Sequence, residues 1–185
     1  MVSIGVKPGV FLDRDGVIVR SIIRNRKPYA VRNLKEFRIL PGVRQAISHL
    51  KEAGFLLIVV TNQPDIGNGL ISKEVMYKMN DILLKKLKID DIKLCPHKKE
   101  DKCLCRKPKP RLIVRAAKEY NIDLTKSYMI GDRLSDMIAG QKAGCKCIFI
   151  DRGYEETKRI NIEINLKTTS LPAAVRLIEK IESAI

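Results

Sequence analysis

Two carboxylates spaced two positions apart follow a short apolar run near the start of the sequence. Asp13 and Asp15 flank Arg14, and Gly16 comes next. Side chains two positions apart in an extended segment point to the same side, so both carboxylates can face one pocket. Carboxylate oxygens are ligands that Mg²⁺ prefers, and one carboxylate can attack phosphorus while the other transfers a proton. The alternatives are an ordinary polar turn and a calcium loop, and the latter is disfavoured because its twelfth position is Arg24 rather than glutamate.

Polar groups also follow two later apolar runs. The second run ends in a hydroxyl and two amides, which suit the oxygens of a phosphate: Thr61, Asn62 and Gln63. The fourth run ends in Gly131 and Asp132, and Asp136 lies four residues beyond Asp132. The predicted strand order brings Asp132 near Asp13 as a further carboxylate of a metal site. Asp136 either turns toward the same pocket or favours the positive end of the next helix.

A basic pair, Arg106 and Lys107, stands directly before Pro108. Two cations on a backbone constrained by proline can fix a phosphate group. The alternative for this pair is a solvated basic surface.

Four metal-binding side chains lie within eleven residues: Cys95, His97, Cys103 and Cys105. Three thiolates and one imidazole form the ligand set of a closed, tetrahedral, structural zinc site. Such a site leaves no position for water, so its predicted task is to pin the loop that carries Arg106 and Lys107. The alternative is a group of buried or reactive thiols without metal. Cys145 and Cys147 have no nearby partners in the sequence, and we expect them to pack in the core.

The elements that must position these groups are short apolar runs alternating with helical patterns. Strands are predicted at Val10 to Leu12, Phe55 to Val60, Ile92 to Leu94, Tyr128 to Ile130 and Cys147 to Ile150. Helices are predicted between them, two with Ser72 and Ser170 at their starts, and the tail after Gly153 predicts one more short strand and helix. This alternation predicts an α/β fold with a doubly wound, mostly parallel sheet in a single domain over residues 1–185. Ligands bind at the carboxyl ends of such strands, where the polar groups fall.

The charge balance of the chain favours anionic partners. Lys and Arg number 36 against 21 Asp and Glu, a formal net charge of +15. Aromatic residues make up 5% with no tryptophan, which leaves few stacking platforms for single-stranded nucleic acid. We therefore expect a small phosphorylated metabolite as the partner, with nucleic acid disfavoured.

Two further features of the sequence bear on location. The longest apolar run, Phe55 to Val60, is too short to cross a bilayer. The first residues lack the features of a secretory signal. The sequence predicts a cytoplasmic protein without a membrane partner.

These motifs, in this order and each after a predicted strand, resemble those of the haloacid dehalogenase-like (HAD) phosphatase superfamily. The residues that carry the resemblance are Asp13-Arg14-Asp15-Gly16, Thr61-Asn62-Gln63, Lys107, and Gly131-Asp132 with Asp136. The resemblance runs from about Val10 to Asp151. The segment from Cys95 to Pro108 is similar to the branch that contains the histidinol phosphatases and the D-glycero-D-manno-heptose 1,7-bisphosphate phosphatases. The resemblance implies a HAD-like Rossmannoid core with a zinc-stapled loop and no large cap domain.

The resemblance also implies roles for individual residues. It makes Asp13 the nucleophile that forms an aspartyl-phosphate, and Asp15 the general acid and base. It implies that Thr61 and Lys107 hold the phosphoryl group. The residues implied to bind the substrate are Asn62, Gln63 and Arg106. The implied magnesium ligands are Asp13, Asp15 and Asp132, with Asp136 as a further one, and the implied zinc ligands are the four side chains of the cysteine-rich loop. Arg133 stands where the heptose enzymes often have lysine.

The substrate is indicated by the detail of the loops. The five-residue gap between His97 and Cys103 resembles histidinol phosphatases. The segments Thr61 to Gly67 and Lys27 to Tyr29, together with the tail after Gly153, resemble the heptose enzymes. We therefore expect a heptose 1,7-bisphosphate 7-phosphatase, with a histidinol-phosphate phosphatase as the alternative. Further alternatives for the function are a polynucleotide 3′-phosphatase and a non-catalytic zinc module that binds an anion.

Overall fold

The computed structural model describes residues 5–25, 27–155 and 166–184. The strands are β1 Lys7–Leu12, β2 Ile22–Arg24, β3 Lys27–Tyr29, β4 Leu56–Asn62, β5 Asp91–Cys95, β6 Ile122–Gly131, β7 Lys146–Ile150 and β8 Lys167–Thr168. The helices are α1 Val43–Glu52, α2 Pro64–Gly67, α3 Lys73–Leu87, α4 Arg111–Tyr120, α5 Leu134–Ala143 and α6 Leu171–Glu182.

Six of the strands form one sheet in the order β5-β4-β1-β6-β7-β8, and every pairing in it is parallel. The predicted α/β class and parallel sheet are therefore confirmed. β1 lies between β4 and β6, with Phe11 beside Ile58 on one side and Met129 on the other. The carboxyl ends of these three strands consequently meet at the centre of one edge of the sheet.

Helices cover both faces of the sheet, as buried parallel strands require. Helices α1, α3 and α6 pack on one face through apolar residues at helical spacing, such as Ala46, Met79 and Ala174. Helices α4 and α5 cover the other face through Ile113, Ala116 and Ala139. Cys145 is buried and Cys147 packs beside it in this second core, which confirms their predicted role.

The predicted helix starts agree with the structure. The Ser72 side chain accepts a hydrogen bond from the backbone N–H of Val75, and Ser170 accepts one from Ala173, so each caps its helix. The predicted strand and helix after Gly153 correspond to β8 and α6, while residues 156–165 of that tail lie outside the described residues. No helix among the described residues is long and apolar enough to cross a membrane.

The segment between β1 and α1 contains an antiparallel hairpin that the sequence did not predict. Strands β2 and β3 pair with each other and with no strand of the main sheet in the described part of the chain. Asn25 begins the connecting turn with φ 50°, a left-handed conformation that asparagine tolerates. Strands of three residues are too short to show an alternating pattern, which is why the sequence indicated only a loop here.

Candidate active site

Three carboxylates gather at the carboxyl ends of the central strands. Asp13 follows β1, Asp132 follows β6, and Asp136 lies in the first turn of α5. One carboxylate oxygen from each lies within 4.8 Å of the others, and all three residues are buried. Two of these carboxylates come together because β1 and β6 are neighbours in the sheet.

The cation that balances this cluster is Lys107, whose side chain is also buried. Its Nζ donates hydrogen bonds to Asp13 Oδ1 at 2.6 Å and to the carbonyl oxygen of Val60 at 2.6 Å, and it lies 2.7 Å from Asp136 Oδ1. Burial alone would lower the pKa of Lys107, but the charges of Asp13 and Asp136 outweigh burial and raise this pKa above its usual value. Lys107 therefore stays protonated and fixes one oxygen of Asp13.

Asp132 is the least compensated member of the cluster. Neither carboxylate oxygen makes a hydrogen bond of normal geometry with the described residues, although the Tyr154 hydroxyl lies alongside. Burial, followed by the charges of Asp13 and Asp136, raises the pKa of Asp132 well above its usual value. A buried carboxylate of this kind requires either a proton or a cation. The three carboxylates thus fit a hard divalent cation such as Mg²⁺, which takes oxygen ligands.

Two glycines allow the backbone to approach these carboxylates. Gly16 has φ 88°, and a Cβ atom added there would lie 1.8 Å from Asp132 Oδ2. A Cβ atom added at Gly131 would lie 2.3 Å from the Cβ atom of Asp136. Any larger residue at either position would displace a carboxylate of the cluster.

Asp136 has both of the functions that its position in the sequence offers as alternatives. Its Oδ2 accepts a hydrogen bond from the backbone N–H of Arg133 at 3.0 Å, which caps α5. Its Oδ1 pairs with Lys107 inside the cluster. Burial raises the pKa of Asp136 to about 6, although Lys107 opposes the rise. Asp136 therefore caps the helix with one carboxylate oxygen and belongs to the acidic cluster with the other.

The Asp15 carboxylate lies outside this cluster. Arg14, which is fully buried, donates from Nε to Asp15 Oδ2 at 2.9 Å and from Nη1 to the sulfur of Met76 at 2.7 Å. Gln63 Nε2 donates to Asp15 Oδ2 at 2.7 Å and to Thr61 Oγ1 at 2.9 Å. The spacing predicts that Asp13 and Asp15 face one pocket together. In the structure only Asp13 of the two lines the cavity, because Arg14 and Gln63 bind the Asp15 carboxylate.

The two amides after β4 support other residues of the site. Asn62 exchanges two hydrogen bonds with the backbone of Lys107: its Nδ2 donates to the Lys107 carbonyl at 3.1 Å, and its Oδ1 accepts from the Lys107 N–H at 3.0 Å. Gln63 is fully buried. The resemblance to the HAD phosphatases implies substrate binding for both residues. In this structure Asn62 fixes Lys107 while bordering the cavity, and Gln63 fixes Asp15.

The predicted zinc ligands converge on one point. Cys95 Sγ lies 3.5 Å from Cys103 Sγ and 3.6 Å from His97 Nδ1, while Cys105 Sγ lies 3.2 Å from His97 Nδ1 and 3.6 Å from Cys103 Sγ. Zn–S and Zn–N bonds of about 2.3 and 2.0 Å place tetrahedral ligand atoms roughly 3.5–3.8 Å apart. None of the three cysteines is in a disulfide. The spacing and the donor set fit a zinc ion.

The loop that carries the cysteine and histidine cluster leads directly into the buried lysine of the acidic cluster. Cys105 is two residues before Lys107, and Lys109 Nζ donates to the carbonyl oxygen of Cys103 at 2.7 Å. On the other side, the backbone N–H of Gln63 donates to the carbonyl oxygen of Cys95 at 2.7 Å. A metal ion held by the four ligands would therefore fix the position of Lys107 through its neighbours in the chain.

A cavity of about 520 Å³ opens in front of Asp13 and Lys107. The loop that carries the cysteine and histidine cluster, together with the residues that follow it, contributes Lys99, Lys102 and Arg106 to its walls, and the hairpin contributes Tyr29. The basic residues of the lining are Lys99, Lys102, Arg106, Lys107, Lys109 and Arg133, whereas its acidic residues are Asp13, Asp65 and Asp136. The cavity therefore combines an acidic floor with a basic wall.

Several residues of the site were not identified from the sequence. In the sequence, Arg14 is only the residue between two carboxylates, and Tyr29 belongs to a segment that resembles the heptose enzymes but has no individual role assigned. Lys99 and Lys102 were part of a general positive charge, because nothing in their spacing distinguishes them from surface lysines. The position of Arg14 after a buried strand was an available signal, since a residue there is commonly enclosed.

Comparisons with known proteins agree with this geometry. A family model described as HAD-hydrolase-like matches residues 104–172. The D-glycero-beta-D-manno-heptose-1,7-bisphosphate 7-phosphatase of Pasteurella multocida (strain Pm70) is 32% identical over 190 residues, covering 96% of this chain and 100% of that protein. The protein of the same name from Helicobacter pylori (strain J99) is 39% identical over 143 residues, covering 74% of this chain and 79% of that protein.

A solved structure shows the same architecture. The crystal structure of D,D-heptose 1,7-bisphosphate phosphatase from B. bronchiseptica, complexed with magnesium and phosphate, matches with a TM-score of 0.82 and 28% identity. The match covers 94% of this chain and 99% of that chain. The fold is thus that of a HAD-like phosphatase. Within that class, the chain belongs to the family of the D-glycero-beta-D-manno-heptose-1,7-bisphosphate 7-phosphatases.

Proposed function

We propose that this chain removes the 7-phosphate from D-glycero-beta-D-manno-heptose 1,7-bisphosphate in a magnesium-dependent reaction. The observation that carries the proposal is the basic wall that lines the same cavity as Asp13 and Lys107. The acidic floor and Lys107 suit the phosphate that reacts, and the wall suits a second anionic group on the same molecule. Relatives that cover most of this chain carry the name of this activity.

The proposed reaction has two steps on Asp13. Because Lys107 holds Oδ1, Oδ2 is available to attack phosphorus, and the bond from phosphorus to the sugar oxygen breaks as an aspartyl-phosphate forms. Asp15 gives its proton to the departing sugar oxygen, then takes a proton from water, which attacks the aspartyl-phosphate. Inorganic phosphate leaves and the Asp13 carboxylate is restored. Asp15 must turn from Gln63 toward the leaving oxygen during this sequence.

Other residues would hold the phosphoryl group during the transfer. Lys107 is already placed at the oxygen of Asp13, and the Thr61 hydroxyl lies at the end of the neighbouring strand. Arg106 lines the cavity and would contact the substrate, while Asn62 and Gln63 would keep Lys107 and Asp15 in position.

The metal requirements follow from the two clusters. Asp13 and Asp132, with Asp136, would hold Mg²⁺, and the Asp15 backbone carbonyl is a further ligand implied by the superfamily. When bound, Mg²⁺ supplies positive charge that neutralises the oxygens of the phosphoryl group. We propose zinc for the second cluster, with Cys95, His97, Cys103 and Cys105 as its ligands in a structural role. The free thiols suit a reducing compartment, so we also propose that the protein acts in the cytoplasm.

Charge separates the proposed substrate from histidinol phosphate, which carries an amine and an imidazole where the bisphosphate carries a second phosphate. Lys99, Lys102 and Arg106 border the cavity and form no ion pair within 4 Å among the described residues. A cationic group beside them would be repelled, whereas a phosphate would be attracted. The basic wall therefore favours the bisphosphate.

The experiment that tests the proposal is phosphate release with magnesium from three compounds. These are heptose 1,7-bisphosphate, histidinol phosphate and an oligonucleotide with a 3′-phosphate, with Asp13→Asn as the inactive control. We expect at least about a hundredfold preference in kcat/KM for the bisphosphate, equivalent to roughly 2.7 kcal/mol. A preference for either other compound would overturn the proposed substrate and retain the phosphatase class. Turnover of the bisphosphate by the Asp13→Asn variant would overturn the mechanism.

A charge variant tests the basic wall directly. Lys102→Gln removes one cation from the cavity, and Lys118→Gln removes one from the exposed surface of α4 as the matched control. The proposal predicts that KM for the bisphosphate rises about three- to tenfold in the first variant and stays constant in the second. An equal KM in both variants would show that the second anionic group does not meet this wall.

A further inference from the structure

The hairpin β2–β3 forms one wall of the cavity but pairs with no strand of the main sheet among the described residues. Pro28, Tyr29 and Ala30 border the cavity, and each strand of the hairpin has three residues. A two-stranded hairpin of this length is marginally stable by itself. Its position over the cavity therefore depends on contacts made elsewhere.

One such contact comes from Arg133 at the start of α5. Its Nη2 donates a hydrogen bond to the carbonyl oxygen of Pro28 at 2.9 Å. The backbone N–H of Arg133 donates to Asp136 Oδ2, and Arg133 directly follows Asp132. The turn that places two carboxylates of the acidic cluster thus also places the guanidinium that holds the hairpin.

A second contact lies beyond the other end of the hairpin. Arg32 Nε donates to Asp65 Oδ2 at 2.7 Å. Asp65 belongs to α2, the short helix that follows Gln63 at the end of β4, and its side chain is mostly buried. Arg32 is two residues beyond Ala30, so this ion pair ties the returning strand of the hairpin to the edge of the site opposite Arg133.

We propose that these two contacts hold the hairpin as a fixed wall of the substrate cavity, and that Arg32 and Arg133 are positioning residues for substrate selection. Both contacts begin at strand ends that carry the acidic and polar groups of the site, β6 for Arg133 and β4 for Asp65. The distance from Tyr29 to the reacting phosphate is consequently fixed before any substrate binds. A substrate long enough to reach Tyr29 gains from this arrangement, and a small phosphate ester gains nothing. The inference rests on the proposed function for the identity of the long substrate.

The test compares a long and a short substrate in Arg32→Met. Arg32 lies outside the cavity lining, and Arg24→Met, on the exposed β2 strand of the same hairpin, is the matched control. We expect KM for heptose 1,7-bisphosphate to rise about three- to tenfold in Arg32→Met, with kcat/KM for p-nitrophenyl phosphate unchanged and both values unchanged in Arg24→Met. Arg133→Lys should raise KM for the bisphosphate similarly, because lysine keeps the charge but lacks the guanidinium fork.

Equal losses on both substrates in Arg32→Met, or no change in KM in either Arg32→Met or Arg133→Lys, would overturn the proposal. Amide hydrogen exchange provides a readout that needs no substrate. Exchange of residues 22–24 and of Lys27 and Tyr29 should become faster in Arg32→Met and remain the same in Arg24→Met. Unchanged exchange would refute the fixed wall even if the enzyme acts on the bisphosphate. Faster exchange in a protein inactive on the bisphosphate would refute the proposed substrate alone.

Discussion

Lys107 Nζ lies 2.6 Å from Asp13 Oδ1, although the two residues are 94 positions apart in the chain. The contact joins the end of the central strand to the loop that carries the cysteine and histidine cluster. It also fixes which oxygen of Asp13 remains available for chemistry. The relationship between these two residues thus links the nucleophile that we propose to the loop for which we propose a zinc ion.

Replacing Lys107 by methionine should abolish turnover and weaken the fold. The variant retains the length of the side chain but leaves Asp13 and Asp136 buried without a counter-charge. Breaking a buried ion pair in this way costs about 3–5 kcal/mol of unfolding free energy. Urea unfolding measures the loss, with Lys118→Met on the exposed surface of α4 as the control. A stability equal to the wild type would show that the cluster does not depend on this lysine.

Replacing Asp132 by asparagine should have opposite effects on stability and metal binding. The raised pKa of Asp132 means that its ionised form is disfavoured in the folded protein, so removing the charge should stabilise the magnesium-free protein. Each kcal/mol gained corresponds to about 2–4 °C in Tm. Added magnesium should raise the Tm of the wild type and leave that of the variant unchanged. The measurement is a thermal melt in zinc-containing, magnesium-free buffer without chelator, because a chelator would also remove zinc.

Replacing Cys103 by alanine should remove zinc and lower the stability of the protein. Structural zinc contributes directly to folding, and loss of one thiolate opens the ligand set. Activity should fall as well, since the loop positions Lys107. Zinc content and Tm measure the effect, and Cys147→Ala, in the second core, should retain the metal. Full zinc content in the Cys103 variant would contradict the assignment.

The response to magnesium should weaken as the pH falls through about 6, where Asp136 takes up a proton. A raised carboxyl pKa means that between about pH 4 and 6 the folded state binds a proton that the unfolded state lacks. By linkage, this group stabilises the magnesium-free protein toward lower pH, while the loss of its charge weakens cation binding. Melts from pH 7.5 to 5.5 should therefore show a shrinking magnesium-induced shift. Asp136→Asn should remove this group's share of the pH dependence.

Much of the fold was predictable because buried parallel strands and amphipathic helices leave strong patterns. The apolar run around Ile58 and the cap at Ser72 each depend on neighbours in the sequence. The order of polar groups after strands similarly indicated where Asp13 and Asp132 meet. Contacts between distant side chains left no such pattern.

The orientation of Asp15 illustrates what the sequence could not provide. Spacing two residues from Asp13 placed both carboxylates on one side of an extended chain. The chain instead turns at Gly16, which has φ 88°, and the buried guanidinium of Arg14 holds the second carboxylate. Gln63, 48 positions away, completes the contact. A local pattern cannot report a partner at that distance.

The reciprocal hydrogen bonds between Asn62 and the backbone of Lys107 have a consequence for how this loop tolerates changes in length. Extra residues between His97 and Cys103 would extend the exposed part of the loop, because both ends of that stretch are held by the metal ligands. One extra residue between Cys105 and Lys107 would pull the lysine out of register with Asn62 and Asp13. Insertions in the first stretch should therefore leave Lys107 in register and move only Lys99 and Lys102 of the cavity lining, whereas insertions in the second should displace Lys107 itself.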